Sequence, residues 1–199
     1  MTYPDPQAYD VLHAGISDIL FTAEQIEGRV AALGAEISRD YEGVRPLLVG
    51  VLKGVFPFMA DLTRWITIPL EVDFLAIASY SPDTRSRGVV RLQKDLEQPI
   101  AGRHVLFIED VVDTGLTLHY LLSQLRSREP ASLHVCTMFD KGSRRLIKLP
   151  IRYTGFNLPD RFVVGYGLDY RELYRNLPFV GLLKADVFRP EDTKKESPK

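Results

Sequence analysis

Two rhythms of apolar and polar positions run through the chain. Thr22 followed by Gln25 has the form of a capping box, and Ile26, Val30, Leu33 and Ile37 then mark one apolar face, which predicts an amphipathic helix. Pro46 to Leu52 is a short continuous apolar run that breaks at Lys53-Gly54, as a strand buried on both faces does. Phe58, Leu62 and Trp65 follow as a helix stripe, and Leu70, Val72, Phe74, Ala76 and Ala78 alternate as in a strand with one face more buried. Val105 to Ile108 are four apolar residues that end in the adjacent carboxylates Glu109 and Asp110. Beyond them Leu118, Leu121, Leu122 and Leu125 recur at helical spacing, so Thr114 to Thr117 are placed at a helix start. Leu133 to Phe139 predicts another buried strand, ending at Asp140-Lys141-Gly142, and Phe162–Gly165 and Val180–Leu183 read as short strands. Ser81 to Gly88 carries turn formers and two arginines without an apolar anchor, which suits either a plain hairpin loop or a lid.

Strands alternating with helices, with polar residues gathered at strand ends, predict an α/β fold with an open, mainly parallel twisted sheet flanked by helices. Ligands of such sheets bind at the carboxyl ends of the strands, which would bring Lys53, Asp110 and Lys141 together. A chain of 199 residues, 45% hydrophobic, suffices for one substantial core, hence one domain. The net charge of -1 offers nucleic acid no general attraction. Met1 to Asp18 is polar and broken by Pro4 and Pro6, and no apolar run reaches membrane-spanning length, so a soluble, cytoplasmic protein is expected. The single cysteine, Cys136, lies in an apolar strand, and His13, His104, His119 and His134 have no paired metal-ligand spacing. Arg189 to Lys199 is charged and proline-containing without periodicity and reads as a disordered tail.

The stretch Glu109 to Thr117 carries the chemistry. A helix start offers free N–H groups to an anion, but two carboxylates would repel a bare phosphate. A ligand that also brings sugar hydroxyls or a divalent cation answers both, and a ribose phosphate has that combination. The plain alternative is a strand end followed by a helix cap. Lys53-Gly54 likewise offers a cation on a permissive backbone, though a lone lysine is more often a solvated charge.

Leu52-Lys53-Gly54, Ser79-Tyr80, Glu109 to Thr117, Lys141, and Phe162 to Tyr170 with Arg175 stand in an order that resembles the purine/pyrimidine phosphoribosyltransferase family of type I fold, within it the bacterial hypoxanthine-guanine enzymes. The likeness spans about Ile19 to Val187. It implies a single domain over residues 1–188, with a small hood from its N- and C-terminal segments. The implied reaction joins hypoxanthine or guanine to phosphoribosyl pyrophosphate, giving IMP or GMP and pyrophosphate, in purine salvage. It implies Asp113 as general base toward the purine N7 proton and Glu109 and Asp110 beside the ribose. Thr114, Gly115, Leu116 and Thr117 would meet the 5′-phosphate, and Lys53, Gly54 and Arg175 the pyrophosphate. Lys141 would donate to the purine six-oxo group, Phe162 stack on the ring and Val163 meet its edge through the backbone. Asp169, with Glu109 and Asp110, would hold Mg2+, Ser79-Tyr80 would open a lid, and Leu52–Lys53 would be a cis peptide. Homodimers or homotetramers are implied, with no nucleic-acid or membrane partner.

Three rivals stay open at this level, one of them a non-enzymatic α/β interaction domain, which leaves the converging strand-end polar residues without explanation. A preference for xanthine would turn on backbone contacts at the purine two-position. A regulator that keeps the fold to sense nucleotides is disfavoured by the presence of Asp113, Lys141 and Asp169 together with near-neutral charge.

Overall fold

In the computed structural model, which describes residue 4 and residues 6–78 and 91–187, two sheets divide the chain. The elements in order are α1 (Asp10–Ala14), β1 (Ile16–Phe21), α2 (Ala23–Asp40), β2 (Leu47–Leu52), α3 (Phe56–Trp65), β3 (Glu71–Ala78), β4 (Arg91–Lys94), β5 (His104–Val112), α4 (Leu116–Arg126), β6 (Ser132–Asp140), β7 (Ile151–Asn157), β8 (Val163–Val164) and β9 (Val180–Leu183). The larger sheet has the order β4-β3-β2-β5-β6-β7, parallel throughout except for the antiparallel edge strand β4. The smaller antiparallel sheet, β1-β9-β8, joins the two ends of the chain into a hood.

Strand period and helix period meet in the core. Leu47, Val49, Val51, Val105, Phe107 and Val135 face α4 and pack on Leu118, Leu121, Leu122 and Leu125. Their neighbours Leu48, Leu106, Ile108, Cys136 and Met138 point to the opposite face and pack on α2 and α3. The result is three layers, helix on sheet on helix. The capping box at Thr22 forms as the sequence predicts: Gln25 N–H donates to Thr22 Oγ1 at 3.2 Å, and Thr22 N–H to Gln25 Oε1 at 2.9 Å. Ile26, Val30, Leu33 and Ile37 are the buried face of α2. A third cluster, with Ile16, Val164, Tyr170, Leu177, Phe179 and Leu183, holds the hood.

Four features depart from expectation. The acid pair does not end its strand: β5 continues through Glu109 and Asp110 to Val112, because its parallel pairing with β6 persists, Glu109 opposite Thr137 and Val112 opposite Asp140. In β3 the buried side is the opposite one, with Asp73 and Leu75 inside and Val72 41% exposed. Asp73 can be buried because Phe74 N–H, Glu97 N–H and Lys94 Nζ all donate to its carboxylate. Trp65, at the end of the α3 stripe, is 44% exposed. Strands β1, β4 and β7 had no sequence signal strong enough to be read. The expectations for Ser81–Gly88 and for the tail from Arg189 fall outside the described residues.

Candidate active site

The carboxyl ends of β2 and β5 open on one cleft of about 350 Å3. Its walls include Lys53, Gly54, Glu109, Asp110, Asp113, Thr114, Gly115 and Thr117. The Leu52–Lys53 peptide is cis. Gly54 follows it, and any side chain there would collide with the Asp110 carboxylate. Gly167, at φ +94°, packs against the Gly54 carbonyl with as little room, which draws the Asp169 segment to the same cleft. Gly115 takes the left-handed conformation (φ +84°) and caps α4, so the helix begins at Leu116 and the residues from Asp113 form the loop before it. Leu116 lies at the first helical position, where backbone N–H groups have no intrahelical acceptor, and its N–H makes a long 3.5 Å contact to Thr114 Oγ1.

Electrostatics distinguish the carboxylates. Burial pushes Glu109 well above the ordinary range, and the neighbouring Asp110 charge pushes it further. Asp110 is raised to about 6, by burial first and also by the charge of Asp169, against hydrogen bonds from the backbone. One of these is from Val111 N–H to Asp110 Oδ1 at 2.7 Å. Carboxylates so disfavoured as anions fit a site completed by a cation. Among the described residues no three His, Cys, Asp or Glu side chains form a metal cage of their own.

Lys141 begins the other half. Its backbone N–H bonds Val112 O at 2.9 Å, which ties it to the end of β5, and its buried ammonium donates to Arg161 O at 2.9 Å. Burial lowers its pKa, while the nearby Asp113 charge raises it. Phe162 and Val163 follow directly on Arg161. The Phe162 ring is half-buried with Tyr170 edge-on at 5.7 Å, whereas Val163 is buried and paired with Leu182 of β9. Its side chain belongs to the core, so only its backbone can face a ligand.

Three residues at the site had not been singled out. Arg144 Nε lies 2.8 Å from Asp113 Oδ1, and its guanidinium also reaches Asp160 at 3.0 Å. Arg145 pairs with Asp140 and donates to Asp113 O at 3.4 Å. Glu172 bonds Lys53 Nζ at 2.8 Å and Arg175 Nη2 at 3.1 Å. Arg175 also lies 2.8 Å from Asp169 and donates to Gly167 O at 2.8 Å. The basic doublet after Lys141 was the only sequence signal for the first two, and Glu172 had none. Ser79 and Tyr80 lie outside the described residues.

The strand–turn–helix of β5 and α4, at the carboxyl end of a strand inside the six-stranded sheet, is the arrangement to set beside known proteins. A model of the phosphoribosyl transferase domain matches residues 17–171. The chain belongs to the phosphoribosyl transferase domain family. Similar proteins cover nearly all of it. A hypoxanthine-guanine phosphoribosyltransferase of Streptococcus pneumoniae (strain ATCC BAA-255 / R6) is 45% identical over 178 residues, 89% of this chain and 99% of that protein. One of Bacillus subtilis (strain 168) is 47% identical over 173 residues, 87% and 96% of the two chains. A crystal structure of a hypoxanthine phosphoribosyltransferase from Staphylococcus aureus superposes with a TM-score of 0.87 at 44% identity, covering 90% of this chain and 98% of that one. The phosphoribosyltransferase assignment gives the open parallel sheet and its helix start their meaning: this is a transferase with the type I architecture.

Proposed function

We propose that this phosphoribosyltransferase moves the 5-phosphoribosyl group from phosphoribosyl pyrophosphate to hypoxanthine or guanine, giving IMP or GMP and pyrophosphate. The observation that carries the reading is the convergence at Asp113. Asp113 lines the donor cleft, and Lys141, on the purine side, is tied to the end of the same strand by its N–H bond to Val112 O at 2.9 Å.

In the reaction the ribose–pyrophosphate bond breaks with its electron pair leaving on pyrophosphate, and a purine nitrogen bonds the same carbon. Positive charge developing on the ribose ring, as in glycoside chemistry, falls beside Glu109 and Asp110. Asp113 accepts the proton that leaves N7. The N–H groups of Thr114, Gly115, Leu116 and Thr117 hold the 5′-phosphate at the start of α4. Lys53, the Gly54 backbone and the Arg175 fork take the pyrophosphate. Lys141 has three N–H donors, one of which Arg161 O occupies, so donors remain for the six-oxo oxygen. Adenine would set an amino donor against that ammonium, and an unmatched buried donor costs about 1–3 kcal/mol. Phe162 stacks on the purine and the Val163 backbone meets its edge.

Mg2+ belongs to the proposal, with Asp169, Glu109 and Asp110 as the residues that would hold it. Bound there it would neutralise the phosphate oxygens and the raised carboxylates. Ser79-Tyr80 as the start of a lid, one domain over residues 1–188, a cytoplasmic location and a homodimer or homotetramer complete the reading. Sedimentation velocity reads the last directly. No helix among the described residues is long and apolar enough to cross a membrane.

The deciding experiment is a four-purine assay of pyrophosphate release. Hypoxanthine and guanine are expected to turn over, with adenine at least tenfold poorer in kcat/KM. Efficient use of adenine, or xanthine as the best substrate, would remove the proposed specificity.

A further inference from the structure

The residues proposed to hold pyrophosphate already hold an anion that belongs to the chain. Glu172 spans Lys53 Nζ through Oε2 at 2.8 Å and Arg175 Nη2 through Oε1 at 3.1 Å, one oxygen to each cation. Its backbone N–H donates to Asp169 Oδ2 at 3.0 Å. Lys53, Arg175, Asp169 and Glu172 therefore cancel as two positive and two negative charges. Arg175 keeps one donor in reserve, since Nε is buried without a hydrogen-bond partner.

The backbone that presents Glu172 is unusual. Arg171, Glu172 and Tyr174 have φ of +54°, +63° and +76°, a conformation that side-chain-bearing residues seldom take and that local structure must hold in place. A bridge between Tyr170 and Leu173 closes the turn, and the buried rings of Tyr170 and Tyr174 anchor it in the hood core. The Glu172 side chain, by contrast, is 57% exposed and Lys53 68% exposed, so nothing encloses the pair against exchange.

We propose that Glu172 is an exchangeable internal counter-ion of the pyrophosphate subsite: it occupies Lys53 and Arg175 in the empty enzyme, yields them to the diphosphate of the donor, and reclaims them as pyrophosphate leaves. The inference rests on the reading of Lys53 and Arg175 as pyrophosphate ligands. Two bonds of the exposed kind must be exchanged, and a neutral site becomes net positive when the carboxylate is removed. Each exposed pair is weak, so the effect is modest and sits in affinity, not in turnover chemistry.

Titration calorimetry of inorganic pyrophosphate, with and without magnesium, into wild type and Glu172→Gln tests this. The expected result is binding roughly two- to tenfold tighter in Glu172→Gln. Pyrophosphate should be a correspondingly stronger product inhibitor. Equal or weaker binding overturns the proposal, since a residue that merely positions Lys53 and Arg175 would weaken binding when removed. Glu172→Asp, too short to span both cations, must shift affinity in the same direction by less, and a shift of opposite sign also overturns it. If wild type and variants alike release no pyrophosphate from phosphoribosyl pyrophosphate and hypoxanthine, the underlying functional reading has failed. If all are active but bind pyrophosphate equally, only the role of Glu172 has failed.

Discussion

Asp113 meets Arg144 at 2.8 Å, yet the carboxylate is still 44% exposed toward the cleft, so one oxygen is covered by a cation and the group stays open to a substrate. A base in this position needs to be reachable, and the loop presents it at the cleft. Replacing it with the isosteric amide removes proton acceptance while keeping shape. Asp113→Asn is therefore expected to lower kcat by roughly 10²- to 10⁴-fold with the donor KM little changed, measured by steady-state kinetics. Turnover within tenfold of wild type would dismiss the base role. The residue type was legible in sequence because a carboxylate in a loop after a buried strand stands out. Its partner was not, because Arg144 lies 31 positions on and a basic doublet in a loop looks the same as solvated charge.

Among the elements, the long buried runs announced themselves. β2, β5, β6, α2 and α4 are each apolar enough, or periodic enough, that burial is their only favourable outcome. β1 carries Ser17 and Asp18, β4 alternates half-buried and exposed, and β7 contains Gly155, so each takes its form from the neighbour that pairs with it. β3 shows how pattern can mislead: its apolar alternation pointed to the Val72 side, but an acid compensated by three hydrogen-bond donors claimed the interior. The loop between β2 and α3 is where elements meet most closely. Gly54→Ala places a methyl against the Asp110 carboxylate, so it should raise the donor KM at least tenfold while far-ultraviolet dichroism stays that of wild type. An unchanged KM would mean that the loop yields freely and that this contact does not shape the donor site.

At the scale of the molecule, the site is held at a cost to stability. Asp110 titrates near 6 in the fold against 3.8 unperturbed, so between those values the folded chain binds more protons than the unfolded one. Stability contributed by this group therefore falls as pH rises from about 4 to about 6 and remains lower above it. In metal-free buffer Asp110→Asn should stabilise the protein at pH 7.5 on the order of 1–2 kcal/mol, a few degrees in Tm, with the gain vanishing near pH 4. Calorimetric melting at both pH values checks it, and a gain that is equal at both would refute the assignment to this carboxylate. Sequence by itself determined the layered α/β class, the turn that starts α4 and the chemical types at the strand ends. Each of these follows from local periodicity, turn chemistry or order along the chain. Only the tertiary structure decided which ion pairs form across the cleft. Lys53 finds Glu172 119 residues away, and Asp113 finds Arg144 across a strand and a helix. Such pairings depend on where a fold brings side chains together, and spacing along the chain carries no record of that distance.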